Sequence, residues 1–256
     1  MNLILPNDEV IQKAVKEYFK IYIPRDRLSG DFYWWANYNN ELYVAVADTT
    51  GLGVSGAVIC AMGIRMLNKA VFAEKITDPA RILNYVSQQV DDYLNARNIH
   101  EHFEFISISL VKINVKDRSL EFSGAKLPVY FISATKPEID ENHQTRVKLH
   151  HHENITLYEL RPEKKPIGLL SKHVDFKTVK LKINSEFTLY LFTDGFYNQF
   201  GGEFDEKFGR KKFRKLIMEI SNLPLAQQQK KLLDTFYQWK GEHEQTDDIT
   251  IIGLKI

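Results

Sequence analysis

One cysteine, Cys60, stands in 256 residues. That scarcity excludes an intramolecular disulfide and a cysteine-built zinc cluster, and it fits a reducing compartment. Neither sign of charge is in excess: Lys and Arg total 34 against 33 Asp and Glu, a net charge of +1. Such a balance spreads no basic face over the whole molecule, so nucleic acid is not the expected partner. The opening "MNLILPNDEV" is too short, and turns polar too soon, for a secretory leader. No apolar run approaches the ~18 residues that cross a bilayer. Together these absences lead to the expectation of a cytoplasmic protein with no membrane segment. What is present is a 44% apolar fraction with 12% aromatic residues, enough for a sizeable core. The length suits one large domain or two small ones.

Hydrophobic spacing divides the chain. Val10, Ile11, Ala14, Val15, Tyr18 and Phe19 recur at helical intervals, which predicts a helix over residues 8–21, capped by Asn7 or Asp8 and closed by Pro24. "DFYWWANY" and "ELYVAVAD" flank Asn39-Asn40, a pair that tolerates the positive φ of a tight hairpin turn. Residues 54–72 are apolar over most of a helix circumference and read as a buried helix. "TDPARILNYVSQQVDDYLNAR" follows, with Asp78 as cap, Pro79 at the first helical position and an end near Arg97. The period then shortens: "FEFISISLVKINV", "SLEFSGAKLPVYFI", "RVKLHHHENITLYEL", "FKTVKLKI", "FTLYLFTD" and "DITIIGLKI" read as strands, with a polar loop over 133–145. Two helices, over 208–221 and 225–239, flank Pro224. Hairpin strands with paired helices imply an α+β fold, two layers of antiparallel sheet with helices packed outside.

Aspartates in four of these stretches share one kind of address. Asp31 opens a strand in "SGDFYW", Asp48 closes the next in "VADTTG", Asp194 closes another in "LFTDG", and Asp247-Asp248 open the last in "TDDIT". Each alone has an ordinary reading as a turn, a cap or a solvated strand end. Strand ends on one rim can converge although distant in sequence. Carboxylates a few ångströms apart would drive one another to protonate unless a cation intervenes. Mg²⁺ and Mn²⁺ are the suitable ions, since each takes oxygen ligands, one or two carboxylates, and keeps several waters. Two such ions can bridge an activated water and clamp a phosphoryl group. Glycines after Asp48 would let backbone come close to that charge.

In this order "SGDFYWW", "VAVADTTGLGVSGAVICAMG", "EFSGAKLPVYFI", "KPIGLL", "LYLFTDGFYN" and "TDDITIIGL" resemble the metal-dependent protein phosphatases, the protein phosphatase 2C-like family, in its bacterial SpoIIE-type branch. The resemblance spans about Arg25 to Ile256, leaving 1–24 as an N-terminal helix and linker ahead of a 25–256 catalytic domain. It implies a four-layer α-β-β-α sandwich that hydrolyses phosphoserine or phosphothreonine in proteins with two Mn²⁺ or Mg²⁺ ions. It further implies that Asp48 bridges both ions, that Thr49 offers its backbone carbonyl, and that Asp31 serves one ion. Asp194 and Asp247 would serve the other ion, with Gly51, Gly195 and Asp248 behind them. A metal-activated water, not a side chain, would be the nucleophile. The usual substrate of the branch is a small phosphorylated anti-anti-sigma-like protein in a partner-switching circuit. Two departures stand out: Leu52, and "SGAKLP" with Lys126, occupy places where the branch usually carries His. They keep alive an alternative from a different class, a catalytically silent relative that binds a phosphoprotein as a scaffold. Hydrolysis of a small phosphoester is a third reading.

Four features have plainer readings. Neighbours on a strand point to opposite faces, so His150, His151 and His152 are not expected to ligate one ion together. Trp34 and Trp35 are expected to divide between core and surface. "KFGRKKFRK", residues 207–215, reads as a solvated basic face or a dock for an acidic partner. Cys60 reads as core. The stripe Val10, Ile11, Ala14, Val15, Tyr18 leaves two readings: packing on the domain itself, or a homodimer contact through the N-terminal helix.

Overall fold

The computed structural model describes residues 4–50, 53–96, 105–168 and 175–256. In chain order the elements are α1 (Glu9–Ala14), β1 (Glu17–Ile23), β2 (Asp31–Tyr38), β3 (Glu41–Thr49) and α2 (Val54–Asn68), which runs on through a wider π turn at Lys69–Ala73. Then come α3 (Pro79–Ala96), β4 (Ile106–Asn114), β5 (Ser119–Ala125), β6 (Val129–Ser133), the short β7 (Glu138–Ile139), β8 (Val147–His152) and β9 (Ile155–Leu160). The rest is β10 (Val179–Lys182), β11 (Phe187–Phe192), α4 (Gly195–Asn198), the two-residue β12 (Phe200–Gly201) and β13 (Glu206–Lys207), α5 (Arg210–Ile220), α6 (Leu225–Lys240) and β14 (Ile249–Lys255).

Two six-stranded antiparallel sheets result, ordered β1-β14-β11-β6-β9-β8 and β2-β3-β4-β5-β10-β7. Period-two alternation explains how they stack. Tyr33 and Trp35 of β2, Val44 and Val46 of β3 face Leu189, Leu191, Ile252 and Leu254 of the other sheet, forming the central core. Phe32, Trp34, Tyr43 and Ala45 face the opposite way, against Cys60, Leu67, Leu83 and Val86 of α2 and α3. On the far side Phe19, Tyr130, Tyr190 and Phe192 meet Phe213, Ile217, Leu232 and Phe236 of α5 and α6. The layers are therefore α-β-β-α. Asp78 accepts the Arg81 amide at 3.0 Å and caps α3, as its sequence suggests.

Three expectations change, and one open reading is decided. The helix over 8–21 is only α1; from Glu17 onward "EYFKIYI" is a strand, paired along its length with β14 from Glu17↔Lys255 to Ile23↔Ile249. Helical spacing picks Val15, Tyr18, Phe19 and Tyr22 while alternation picks Phe19, Ile21 and Ile23, and pairing with β14 decides for the strand. Residues 17–23 are thus an edge strand of the sandwich. The apolar stripe is spent internally: Ile11 and Val15 lie in the central core, with Val10, Ala14 and Tyr18 packed on it, which removes the basis for a homodimer through this helix. Trp34 and Trp35 are both buried, at 1% and 3% exposure, because both faces of their sheet are covered. Finally, Val54–Ala73 is a continuous helical stretch of 20 residues, long and apolar enough by composition to cross a membrane. Its inward face packs on β2 and β3, while Val54, Val58 and Phe72 point outward.

Candidate functional site

The β2–β3 hairpin sets the first two acids. Its turn has Asn39 at φ 54° and Asn40 at φ 62°, a two-residue left-handed geometry that suits the twist of the strands. With that register, Asp31 lies opposite Asp48. The other sheet delivers the remaining acids. β11 and β14 are antiparallel neighbours. Asp194 follows β11 and Asp247-Asp248 precede β14, so these acids share one rim.

Threonines join the two sheets there. Thr193 Oγ1 and Thr250 Oγ1 both donate to Asp31 Oδ2, at 2.6 and 2.7 Å. The Thr250 amide in turn donates to Thr193 Oγ1 at 3.0 Å. Asp248 braces the turn that leads into Asp31: Oδ1 accepts the Arg25 amide and Oδ2 the Gly30 amide, each at 2.7 Å. With both oxygens taken by backbone, Asp248 stands behind the rim. Gly195 has a steric reason to be glycine, since a Cβ there would lie 1.9 Å from the Asp248 carbonyl oxygen. Thr49 is buried at the end of β3, its amide donating to the Gly30 carbonyl at 3.0 Å. Gly51 and Leu52 lie outside the described residues.

The acids crowd one another electrostatically. Burial, then the Asp48 charge, holds the Asp31 carboxyl well above the usual range, and its two hydroxyl donors only partly offset this. Burial pushes Asp48 up to about 8, with Asp194, Asp247 and Asp248 adding to it and Lys126 opposing. Asp247 is pushed up to about 6 by burial, against the Asp248 amide that donates to it and with the Asp194 charge. Carboxylates crowded in this way suit a counter-cation between them. Their hard oxygens suit Mg²⁺ or Mn²⁺. Among the described residues no three acids, histidines or cysteines stand close enough to hold one ion together. An ion of this kind needs only one or two carboxylates, with water for the rest. On donor chemistry the site fits such ions. Asp31 fits least directly, because two hydroxyls already occupy Oδ2.

Sequence reasoning missed the threonines and the Ser29-Gly30 turn. Thr193 directly precedes Asp194, and Thr250 sits two residues past Asp248 on the same face of its strand; that shared proximity was the available signal. In the sequence Lys126 stands out only as a departure from the family pattern. Lys126 has a left-handed φ of 63° between β5 and β6, and its Nζ lies 5.0 Å from the Phe105 ring. The Phe105 amide donates to Thr50 Oγ1 at 2.9 Å, which puts this cation beside the end of β3. The histidine tract stays outside the site. His150 pairs with Glu159 at 2.6 Å, His151 with Thr156 at 3.1 Å and His152 with Glu219 at 3.5 Å, three partners for three rings. Cys60 is fully buried with its Sγ 3.2 Å from the Gly30 carbonyl, and burial pushes its thiol up to about 12.

A four-layer α-β-β-α sandwich with acids gathered on one rim defines the class of PP2C-type phosphatase folds. Known structures agree. The SiaA-PP2C domain of Pseudomonas aeruginosa superposes with a TM-score of 0.82 at 27% identity, over 100% of this chain and 92% of that one. The PP2C phosphatase domain, with a fragment of the regulatory domain, of SpoIIE from Bacillus subtilis gives 0.65 at 14%, over 93% and 62%. RsbX in complex with magnesium gives 0.58 at 15%, over 93% and 94%. No curated protein sequence matches significantly. The family described as Stage II sporulation protein E (SpoIIE) matches residues 39–256, and the chain belongs to that family.

Proposed function

We propose that the protein is a metal-dependent serine/threonine phosphatase acting on a phosphorylated protein of a partner-switching circuit, of the anti-anti-sigma-like kind. The observation that carries this reading is the convergence of Asp31, Asp48, Asp194 and Asp247 from both sheets onto one rim, where their carboxylates repel one another. Asp31, Asp48, Asp194 and Asp247, with the Thr49 carbonyl, would hold two ions between them, each ion taking one or two of the carboxylates and water for the rest. When bound, Mn²⁺ or Mg²⁺ would supply an activated water and neutralise charge on the phosphoryl group.

The chain's own residues do the rest. Thr193 and Thr250 fix the Asp31 carboxylate from the opposite sheet, so the rim cannot open without breaking two short hydrogen bonds. Asp248 holds the loop that aims Asp31. Gly195 lets α4 start tight against Asp248, leaving no side chain between Asp194 and Asp247. Lys126 brings a positive charge toward Asp48 from the solvent side, where an incoming phosphate would meet it. Cys60 is excluded as a nucleophile by its burial and its raised thiol pKa. The test is phosphate release from a phosphoserine protein and from an aryl phosphate, in Mn²⁺, Mg²⁺ or EDTA. Turnover that needs the divalent ion and survives Cys60→Ser supports the reading; turnover in EDTA, or none with either ion, overturns it.

A further inference from the structure

On the outer face of the sheet that carries β11 and β14, β8 and α5 leave a groove of about 710 Å³. Leu149, His150, His152, Lys211, Arg214 and Lys215 line it, with Met218 at its floor. Among the described residues β8 is the last strand of its sheet and pairs with β9 alone, which leaves its far edge without a strand partner. Leu149 is 45% exposed there, although Met218 beneath is buried. The cations stay in excess: Glu219 answers both His152, at 3.5 Å, and Lys215, at 3.4 Å, and Glu159 answers His150, at 2.6 Å, while Lys211 stands exposed and Arg214 half-buried beside them.

The groove also leads to the acid rim. At its head, the Arg210 guanidinium lies 5.1 Å over the Tyr197 ring and donates to its hydroxyl at 3.0 Å. Tyr197 belongs to α4, the helix that begins at Gly195 directly after Asp194. A helix rises ~1.5 Å per residue, so Arg210 to Lys215 covers about 8 Å. Extended chain covers ~3.3 Å per residue. Roughly three residues of a bound strand would run the basic length of the groove.

We infer that this groove docks an extended acidic segment of the protein substrate, close in sequence to its phosphorylated residue. The identity of that partner rests on the phosphatase reading; the chemistry of the groove does not. A strand edge that carries an exposed Leu149 beside the Met218 floor suits an extended peptide, and the surplus of lysine and arginine selects a peptide bearing carboxylates. The protein's net charge of +1 lacks the broad basic field that nucleic acid requires.

The experiment uses the full chain and a labelled phosphoserine peptide with four glutamates three to six residues from the phosphoserine, beside a twin carrying glutamines. Anisotropy in EDTA reads binding alone. We expect the glutamate peptide to bind about tenfold tighter, with Lys211→Glu/Lys215→Glu erasing the preference and Lys211→Gln/Lys215→Gln reducing it to about threefold. In Mn²⁺ the reversal should raise KM for the glutamate peptide by about the same factor, with kcat and aryl phosphate turnover unchanged. Equal binding of both peptides, or a preference that survives both double variants, overturns the inference. So does a single-stranded oligonucleotide that displaces the peptide from the unsubstituted protein and is itself weakened by the reversal. If the preference follows the lysines but neither peptide is hydrolysed, the groove stands and the phosphatase reading falls. If both peptides are hydrolysed with equal KM, the phosphatase reading stands and the groove falls.

Discussion

The acid rim and the β8–α5 groove each gather charge of one sign, and they hold it by opposite means. At the rim Asp31 is 1% exposed, and its neighbours Asp48 and Asp247 are both pushed toward protonation by burial and by the Asp194 charge. Their positions come from strand register and from amide and hydroxyl donors, not from mutual attraction. In the groove the Lys215 and Glu219 side chains are 59% and 46% exposed, and water already solvates them. Charge held against its own repulsion is a site waiting for a counterion. Charge held in water costs the fold almost nothing and steers what approaches. The comparison is open to attack at both ends, and the rim should give the larger effects.

Asp48→Asn is the most severe cut. It removes the carboxylate that the other acids repel most, so we expect phosphatase turnover to fall by about a thousandfold or more. The same change should raise the melting temperature measured in EDTA, because the buried charge is unfavourable there. Activity lost together with stability would mean that Asp48 is a structural acid. Isothermal calorimetry with Mn²⁺ adds a readout independent of turnover, in which Asp194→Asn and Asp247→Asn should weaken the ion less than Asp48→Asn does.

Next in size is Gly195→Ala. The added Cβ would fall 1.9 Å from a backbone oxygen, so β14 or α4 must move. We expect a cost of about 3 kcal/mol, in the range of overpacked sites, with weaker Mn²⁺ binding. Gly53→Ala is the control. Gly53 has φ 64° with nothing within 4 Å of a Cβ, so only backbone strain of about 1 kcal/mol applies. Equal denaturation midpoints for the two variants would show that the rim is not tightly built.

Much of this rim was legible beforehand, because each acid sits beside a turn or strand-end signal: Asp48 before two threonines and a glycine, Asp194 before Gly195, Asp247 at the start of an alternating strand. The layering could be read from alternation as well. The convergence itself came through the family resemblance alone, because adjacency of β11 and β14 is a long-range pairing that no local pattern encodes. For the same reason the grip of Thr193 and Thr250 on Asp31 was invisible, since it depends on how the two sheets stack. The N-terminal misreading had a local cause. "VKEYFKIYI" satisfies both periods, and only the free edge of β14 settles it. The two tryptophans were misassigned because a strand covered on both faces shows no polar face to read.

A pH titration of the metal-free protein separates the two regions further. Asp48 titrates near 8 in the fold against ~3.9 when unfolded, and Asp247 near 6. Both folded values are raised, so the folded state holds extra protons. Their contribution to stability is fully present below about pH 4 and is lost as pH rises through 6 and then 8. Between pH 6 and 8.5 we expect stability in EDTA to fall by about 3 kcal/mol, roughly 6–12 °C in melting temperature for a chain of this size. Mn²⁺ should cancel the fall, and Asp48→Asn should flatten it. A melting temperature in EDTA that is constant or rises over this window would contradict the crowding of the acids.

The smallest effect belongs to the groove. Lys215 and Glu219 are four residues apart on α5, with 3.4 Å between charged atoms and both side chains largely in water. Such pairs contribute about 0.3–0.5 kcal/mol, and salt screens them. His152 lies 3.5 Å from the same glutamate, so Glu219 does not lose every partner when Lys215 is removed. A double-mutant cycle of Lys215→Gln and Glu219→Gln, read by chemical denaturation, should therefore give a coupling below about 0.5 kcal/mol that fades as salt rises. The order of the charges adds a further reason for a low value. The lysine precedes the glutamate along the helix, so the acid lies nearer the C-terminus, against the helix dipole. A coupling above about 1 kcal/mol would mean that this pair is fixed as firmly as the threonines fix Asp31, and the contrast between a preorganised rim and a solvated groove would no longer hold.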